Sequence, residues 1–276
     1  MKRAFVLAVF VGGLVILIGS ASGAGPSPGV TFGSPGVLSR DGRVRYVALR
    51  AGSGTLVEAV TTRGGVVRRS RFLKGGAFGI PLVAYDNSTG GLSRNSRRLV
   101  VYAPASGLAP AETRFVVLDP RTLRVLRRVT VTGNFGFDAL SPDGSLMYLI
   151  QLKTPPNGSG LAYDVRALNL DSRRLYPGAI VDRREPGEKM TGIPFTRVGS
   201  ADGSWAYTLY GKPNGGAFVH ALHTTHRKAF CIDLPLRVPD EQLGRLRMRA
   251  GKNALVLRLR GKTVATVDTR TFEVRR

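Results

Sequence analysis

The stretch Ser141-Pro142-Asp143-Gly144, running on into Ser145-Leu146-Met147-Tyr148-Leu149-Ile150, constrains this chain more than any other, because diverged copies of it recur along almost the whole length. Aligned on the turn, the copies fall at residues 38–42, 92–96, 140–144, 199–203 and 249–252. The period is about 50 residues, within the range of propeller-type arrays. After each turn comes an apolar run, at 44–49, 99–103, 146–152, 205–210 and 254–259, rich in Val, Leu and Tyr and bounded by Gly, Asp and Ser. Such runs read as β-strands.

A second unit follows each run: an apolar strand, a turn at Asp or Thr, and a returning strand. Residues 115–125 show it best, with the turn at Asp119; 165–175 turn at Asp171 and 263–274 at Asp268, and weaker copies lie at 56–67 and 219–230. An Asp opening a tight turn accepts N–H bonds from the residues after it, so these carboxylates are turn chemistry before they are acidic sites. Ahead of the first turn stands a Gly-led segment, Phe78-Gly79-Ile80-Pro81, Phe135-Gly136-Phe137-Asp138 or Thr191-Gly192-Ile193-Pro194, which reads as the entry to an innermost strand. Four strands per repeat in five repeats predict an all-β fold, a β-propeller of five four-stranded blades.

The pairing of "ALSPDGSLMYLI" with "VVLDPRTLRVLRRVTVTG" resembles the YVTN-type, SPDG-containing β-propeller repeat of bacterial extracytoplasmic proteins, a WD40-like architecture. The resemblance covers residues 31–276 at the level of repeat shape. It implies the fold and an extracytoplasmic setting; of function it implies little, since such propellers serve as binding proteins, lactonases and redox enzymes. The first, second and fifth repeats lack parts of the SPDG turn, and the family more usually has seven blades.

The N-terminus has the three parts of a secretory signal peptide: Lys2-Arg3, the apolar run 4–19, and small residues ending at Ala24. The reading is a leader over 1–24, cleaved or kept as a membrane anchor, a Pro/Gly/Ser-rich lead-in over 25–36, and one propeller domain over 37–276. The formal charge is +23, carried mainly by Arg in a Gly- and Ala-rich composition that reads as bacterial. Such charge attracts anionic cell-envelope polymers. The clusters Arg68-Arg69-Ser70-Arg71, Arg124 with Arg127-Arg128, Arg173-Arg174, Arg227-Lys228 and Arg275-Arg276 fall on proposed outer strands or the turns leading into them, where charge discourages edge-to-edge association. No aromatic residues interleave with them as a stacking platform, which argues against specific nucleic-acid binding.

His220, His223 and His226 are the only histidines, and a strand there would send the first two to opposite faces, so no metal site is expected. Cys231, the single cysteine, allows no internal disulfide and is expected to pack as a small hydrophobe. Carboxylates outside the turns are Asp86, Asp138, Asp182, Glu185, Glu188, Asp240 and Glu241. Asp138, Arg197 and Arg247 occupy comparable inner-strand positions, and a channel mouth lined by the three would either bind an anionic or metal-bound ligand or simply have them pair with one another. Trp205 and Tyr207 match Met147 and Leu149 in distance from the turn and read as sheet packing. Asn87-Ser88-Thr89 and Asn157-Gly158-Ser159 read as loop polarity. No catalytic set and no cofactor motif is visible. The expectation is therefore a secreted or cell-surface monomer that binds an unknown protein, glycan or small molecule; the alternatives are a lactonase-like or redox enzyme at the channel mouth, and electrostatic adhesion to wall polymers.

Overall fold

The computed structural model describes residues 29–105, 111–153, 162–187, 190–212, 215–237 and 239–276. The leader, Asn157-Gly158-Ser159 and Glu188 lie outside the described residues. The first sheet comprises β2 (Val37–Leu38), β3 (Val44–Ala51), β4 (Gly54–Thr61) and β5 (Val67–Lys74), preceded by β1 (Val30–Thr31). After β6 (Ile80–Pro81), the second holds β7 (Leu99–Ala103), β8 (Glu112–Leu118) and β9 (Val125–Thr132). The third runs β10 (Phe135–Leu140), β11 (Leu146–Lys153), β12 (Ala162–Asn169) and β13 (Arg174–Leu175). The fourth is β14 (Ile193–Gly199), β15 (Trp205–Gly211), β16 (Ala217–His223) and β17 (Lys228–Leu234). A short helix, α1 (Asp240–Leu243), leads to the fifth, β18 (Leu246–Ala250), β19 (Ala254–Leu259), β20 (Lys262–Asp268) and β21 (Val274–Arg275).

Each sheet is an antiparallel meander in sequence order, and successive sheets stack face to face. One apolar cluster joins the first and second sheets through Tyr46, Val57, Val101 and Val116, and another joins second and third through Tyr102, Phe115, Phe137 and Leu149. Tyr148, Tyr163, Tyr210 and Phe218 join third to fourth, and Tyr207, Val219, Leu246 and Leu257 join fourth to fifth. The arrangement is all-β and propeller-like.

The recurrent first turn is one hydrogen-bonded device. Ser39, Ser141 and Ser200 each donate Oγ–H to the Asp two residues on, at 2.6 Å, and the same carboxylate accepts the N–H of Arg43, Ser145 or Ser204. The serine Oγ in turn accepts the N–H of the residue that opens the next strand, Val44, Leu146 or Trp205, at 2.9 Å. Gly42, Gly144 and Gly203 adopt φ of 68°, 76° and 77°, which glycine allows at little cost. In the second sheet Asn95 takes the Asp role, accepting from Ser93 Oγ and Arg97 N–H, and Ser96 holds the left-handed position at φ 54°. These bonds keep Asp202 well below the usual carboxylate range, at about 2, with the Ser200 hydroxyl as the largest cause.

The second turn is equally regular, but its acceptor is not always Asp. Thr61, Asp119, Asn169, His223 and Asp268 open it, each followed four residues later by a left-handed residue: Gly65, Leu123, Arg173, Arg227 and Phe272. In the third sheet the acceptor is therefore Asn169, not Asp171, whose carboxylate instead pairs with Arg98 of the second sheet at 2.7 Å.

The second sheet departs most from the four-strand expectation. Its innermost strand is broken into two isolated bridges to β7, Gly79 to Tyr102 and Leu92 to Leu99, and Ile80–Pro81 between them pairs with Val30–Thr31. Gly79 permits this, since a Cβ there would lie 2.5 Å from the Val30 Cβ. The chain then forms a small hairpin closed by Val83 N–H to Ser88 O (2.8 Å), with Asn87 at φ 67°. Its tip reaches β14, where Tyr85 and Asp86 N–H donate to the carbonyls of Pro194 (2.9 Å) and Phe195 (3.1 Å), while Val83 packs with Phe135 and Phe137 of β10. The inner strands thus converge on a hairpin.

The turn device sets an expectation for stability. Asp143→Ala removes the acceptor for Ser141 Oγ, Ser145 N–H and Ser145 Oγ and should lower stability by about 1–2 kcal/mol in urea unfolding, whereas Asp143→Asn, which copies Asn95, should lose less than about 1. Equal losses for the two would remove the acceptor role from the argument.

Candidate functional site

The seam between the third and fourth sheets concentrates the polar groups that the core otherwise excludes. Strand register places Arg197, Thr208, His220 and Cys231 opposite one another across all four strands of the fourth sheet. They form one row on the face that meets the third sheet. Facing them is Asp138, the extra residue of a β-bulge: Phe137 pairs with Leu149 and Ala139 with Tyr148, leaving Asp138 without a partner position. A bulge bends the strand and re-aims the side chain.

Asp138 and Arg197 close on each other. Arg197 Nη1 donates to the Asp138 carbonyl at 2.5 Å, and Nη2 lies 2.7 Å from Oδ1 as an ion pair without hydrogen-bond alignment. Their side chains are only 5% and 9% exposed. Asp138 Oδ2, Thr208 Oγ1 and His220 Nε2 are buried with no hydrogen-bond partner among the described residues.

His220 is 1% exposed. Burial is the main reason its pKa falls from 6.5 to about 4; the Asp138 carboxylate opposes the shift, the Arg197 guanidinium adds to it, and Asp182 opposes it more weakly. Its imidazole is thus neutral at neutral pH. Tyr210 stands edge-on to it at 6.3 Å and stacks on Phe218 (5.2 Å) and Tyr163 (6.1 Å). Burial raises the phenol pKa of both Tyr163 and Tyr210, so both stay protonated.

Outward along the seam, Asp182 ties the connection after the third sheet to the outer strand of the fourth. Its Oδ2 accepts the Cys231 N–H at 2.9 Å, and its two oxygens accept from Arg184 Nε, Nη2 and N–H. Burial alone would raise its pKa, but these bonds hold it below the usual range. The same connection walls a hollow of about 250 Å³ between the two sheets, with His220 and Cys231 on the opposite side.

The structure brings two of the three sequence-predicted residues together. Arg247 is exposed, and its guanidinium donates to the carbonyls of Gly244 (3.0 Å) and Leu246 (2.9 Å). The reason is the length of the fifth turn. Ser141 N–H and Ser200 N–H bond the carbonyl five residues on, but Gly251 N–H bonds Ala254 O, three residues on. The strand position matching Asp138 and Arg197 is therefore Met248, and Arg247 falls on the opposite face, as a one-residue slip in a strand requires.

His220 and His223 do lie on opposite faces of β16, but not as strays. His223 Nδ1 is the acceptor of the second turn, and its ring packs on Trp205 at 4.4 Å and His226 at 4.5 Å. Cys231 is half-buried at the hollow rather than sealed in the core. Sequence reasoning missed the row because it exists only through register; its one local sign is Thr208, a polar residue on the inward side of an otherwise apolar strand.

No protein-family model matches the sequence, and no curated protein matches it. Solved structures similar to the chain include the Myceliophthora thermophila Cps50 (Swd1) beta-propeller domain, 12% identical over 90% of this chain and 67% of that one, TM-score 0.49. TolB from Acinetobacter baumannii is 13% identical over 85% and 54%, TM-score 0.42, and Kuenenia stuttgartiensis hydrazine synthase 15% over 66% and 51%, TM-score 0.46. The chain thus spans about half the length of the last two. At such identities the likenesses carry nothing about ligand or activity.

Two expectations follow. Asp138→Ala leaves the Arg197 guanidinium buried without its counter-charge and should lower stability by about 3–5 kcal/mol in urea unfolding, while the paired change Asp138→Leu with Arg197→Met should recover most of the loss. A small loss for the single variant would show that the pair does not clamp the sheets.

The second concerns pH. The unfolded chain takes up a proton at His220 near 6.5 and the folded chain only near 4, so the stability from neutral burial is complete above about 6.5 and lost as pH falls toward 4. The loss is at most about 3 kcal/mol. His220→Phe should flatten unfolding midpoints between pH 7 and 4.5 relative to the parent; parallel curves would contradict it.

Proposed function

We propose that the chain is an extracytoplasmic binding or scaffold module, built as a five-bladed propeller whose second blade is abbreviated at its inner edge. It recognises a ligand rather than transforming one. The observation that carries this reading is the seam between the third and fourth sheets, where a fixed array of buried polar side chains backs a hollow walled by a connecting segment. A rigid framework with loop-built walls is how propellers and barrels bind. In this reading Asp138 and Arg197 set the spacing of the sheets behind the surface, and Arg247 adds exposed positive charge. The leader-like N-terminus supports an extracytoplasmic setting, and the resemblance to YVTN-type repeats agrees with it.

The outer strands support a wall-facing role as well. Arg68, Arg69 and Arg71 on β5, and Arg127 and Arg128 on β9, are exposed. Their pull on anionic polymer is screened within about 10 Å at 0.1 M salt. Retention of the purified protein on cell-envelope material, stepped through increasing salt, separates the two contributions. Recognition predicts a fraction that persists at high salt, and complete release at modest salt would reduce the interaction to screened charge.

A further inference from the structure

The hollow between the third and fourth sheets is electrostatically unlike the rest of the molecule. The chain has 41 Lys and Arg against 18 Asp and Glu, yet among the described residues the hollow is lined by Asp164, Asp182 and Glu185 and by no Lys or Arg. Three other surface hollows each carry basic residues: Lys212 and Arg276 in one, Arg43 and Arg68 in another, Lys252 and Arg270 in a third. An anion entering here would meet three carboxylates, of which Asp164 and Asp182 are paired with Lys153 and Arg184 and Glu185 is exposed.

The three carboxylates are not equivalent. Asp182 has its oxygens taken up by Arg184 and the Cys231 N–H, and Arg184 turns away over the Phe230 ring at 5.1 Å. Asp182 is therefore a strut. Asp164 spends one oxygen on Lys153 at 2.5 Å, and a carboxylate has room for further donors. Glu185 is exposed and stands at the rim.

The wall also holds Tyr163, Ile180, Met190 and the buried imidazole of His220, whose Nε2 has no hydrogen-bond partner among the described residues. Such an orphan costs about 1–3 kcal/mol unless something meets it. A neutral ring offers one hydrogen bond there without repelling a cation.

We propose that this hollow binds a small organic amine, with its ammonium at Glu185 and Asp164, its apolar body against Tyr163, Ile180 and Met190, and its inner end toward His220. At about 250 Å³ the space is just below the usual range for ligand sites, which sets the size class to a single ring or short chain. The inference rests on the recognition reading above and deepens it by naming the site and the ligand chemistry.

Benzylamine and benzoate, alike in size and opposite in charge, are suitable probes. The readout is the Met190 methyl resonance in protein labelled at the methionine methyls. Benzylamine should shift it saturably at millimolar concentration, and benzoate should not. Glu185→Gln, an exposed change, should weaken benzylamine by about two- to fivefold with the melting temperature unchanged. His220→Phe, which fills the inner end with an apolar ring, should abolish binding while the protein still unfolds cooperatively. No shift with benzylamine, equal shifts with benzoate, or undiminished binding to both variants overturns the assignment. Salt-resistant retention of His220→Phe on envelope material, together with loss of benzylamine binding, would place the envelope partner elsewhere while keeping the amine site. Loss of retention by the parent would instead remove the recognition reading.

Discussion

A meander of four strands with apolar residues on both faces is not stable until each face is covered, and the rest of this structure depends on that need for double cover. The second, third and fourth sheets meet it by stacking, each contributing to an apolar cluster on either side. The end sheets meet it differently. Neither the cluster that holds the first sheet nor the one that holds the fifth includes a residue of the other. The far face of the fifth sheet carries Arg247, Arg249 and Arg258, all exposed. The far face of the first is more apolar, with Leu38, Val67 and Phe72 exposed beside Arg45 and Glu58.

Between stacked sheets, polar groups are tolerated only where they answer one another across the gap. The third and fourth sheets show the condition and its limit. Asp138 and Arg197 answer in charge, and Asp182 is answered by Arg184 and a backbone N–H. Thr208 Oγ1 and His220 Nε2 have no answering group among the described residues. An ion pair held this far from water contributes little net stability, because desolvation offsets most of its attraction. What it provides is registry: two like sheets could slide past each other on Val and Leu alone, but a charge pair fixed by a bulge on one side and a strand position on the other allows one alignment.

Much of this was legible because it is local. The Ser-to-Asp turn is written in five consecutive residues, and its spacing gave the sheets, their order and most strand positions. The second turn was legible as a shape but not in its chemistry, since Thr, Asn and His do what Asp does, and only the left-handed residue four positions on identifies the acceptor. What could not be read is what depends on register across hairpins. The Arg197, Thr208, His220, Cys231 row draws one residue from each of four strands, and the bulge at Asp138 changes which way that side chain points. Arg247 was misplaced for a related reason: a turn two residues shorter moves its strand by an amount the sequence pattern does not display. In the hairpin over residues 82–89 the sequence showed only the loop polarity of Asn87-Ser88-Thr89, because nothing local announces that its partner is β14, more than 100 residues away.

One sequence position draws these threads together, the third residue before the turn-opening serine. It is Gly36, Gly90, Asp138 and Arg197 in the first four repeats, and Met248 takes the matching place in the fifth. At Gly90 a Cβ would lie 2.7 Å from the Phe137 ring, and at Gly36 it would lie 2.3 Å from the Tyr46 carbonyl oxygen. The first two repeats thus give up side chains where neighbouring chain comes closest, and that concession lets the second repeat send its hairpin inward. The third and fourth repeats place opposite charges at the same position, which can be buried because they neutralise each other. The fifth, with no partner charge, places an apolar side chain. Divergence at this single position thus yields two glycines under close neighbours, one buried ion pair and a half-buried methionine.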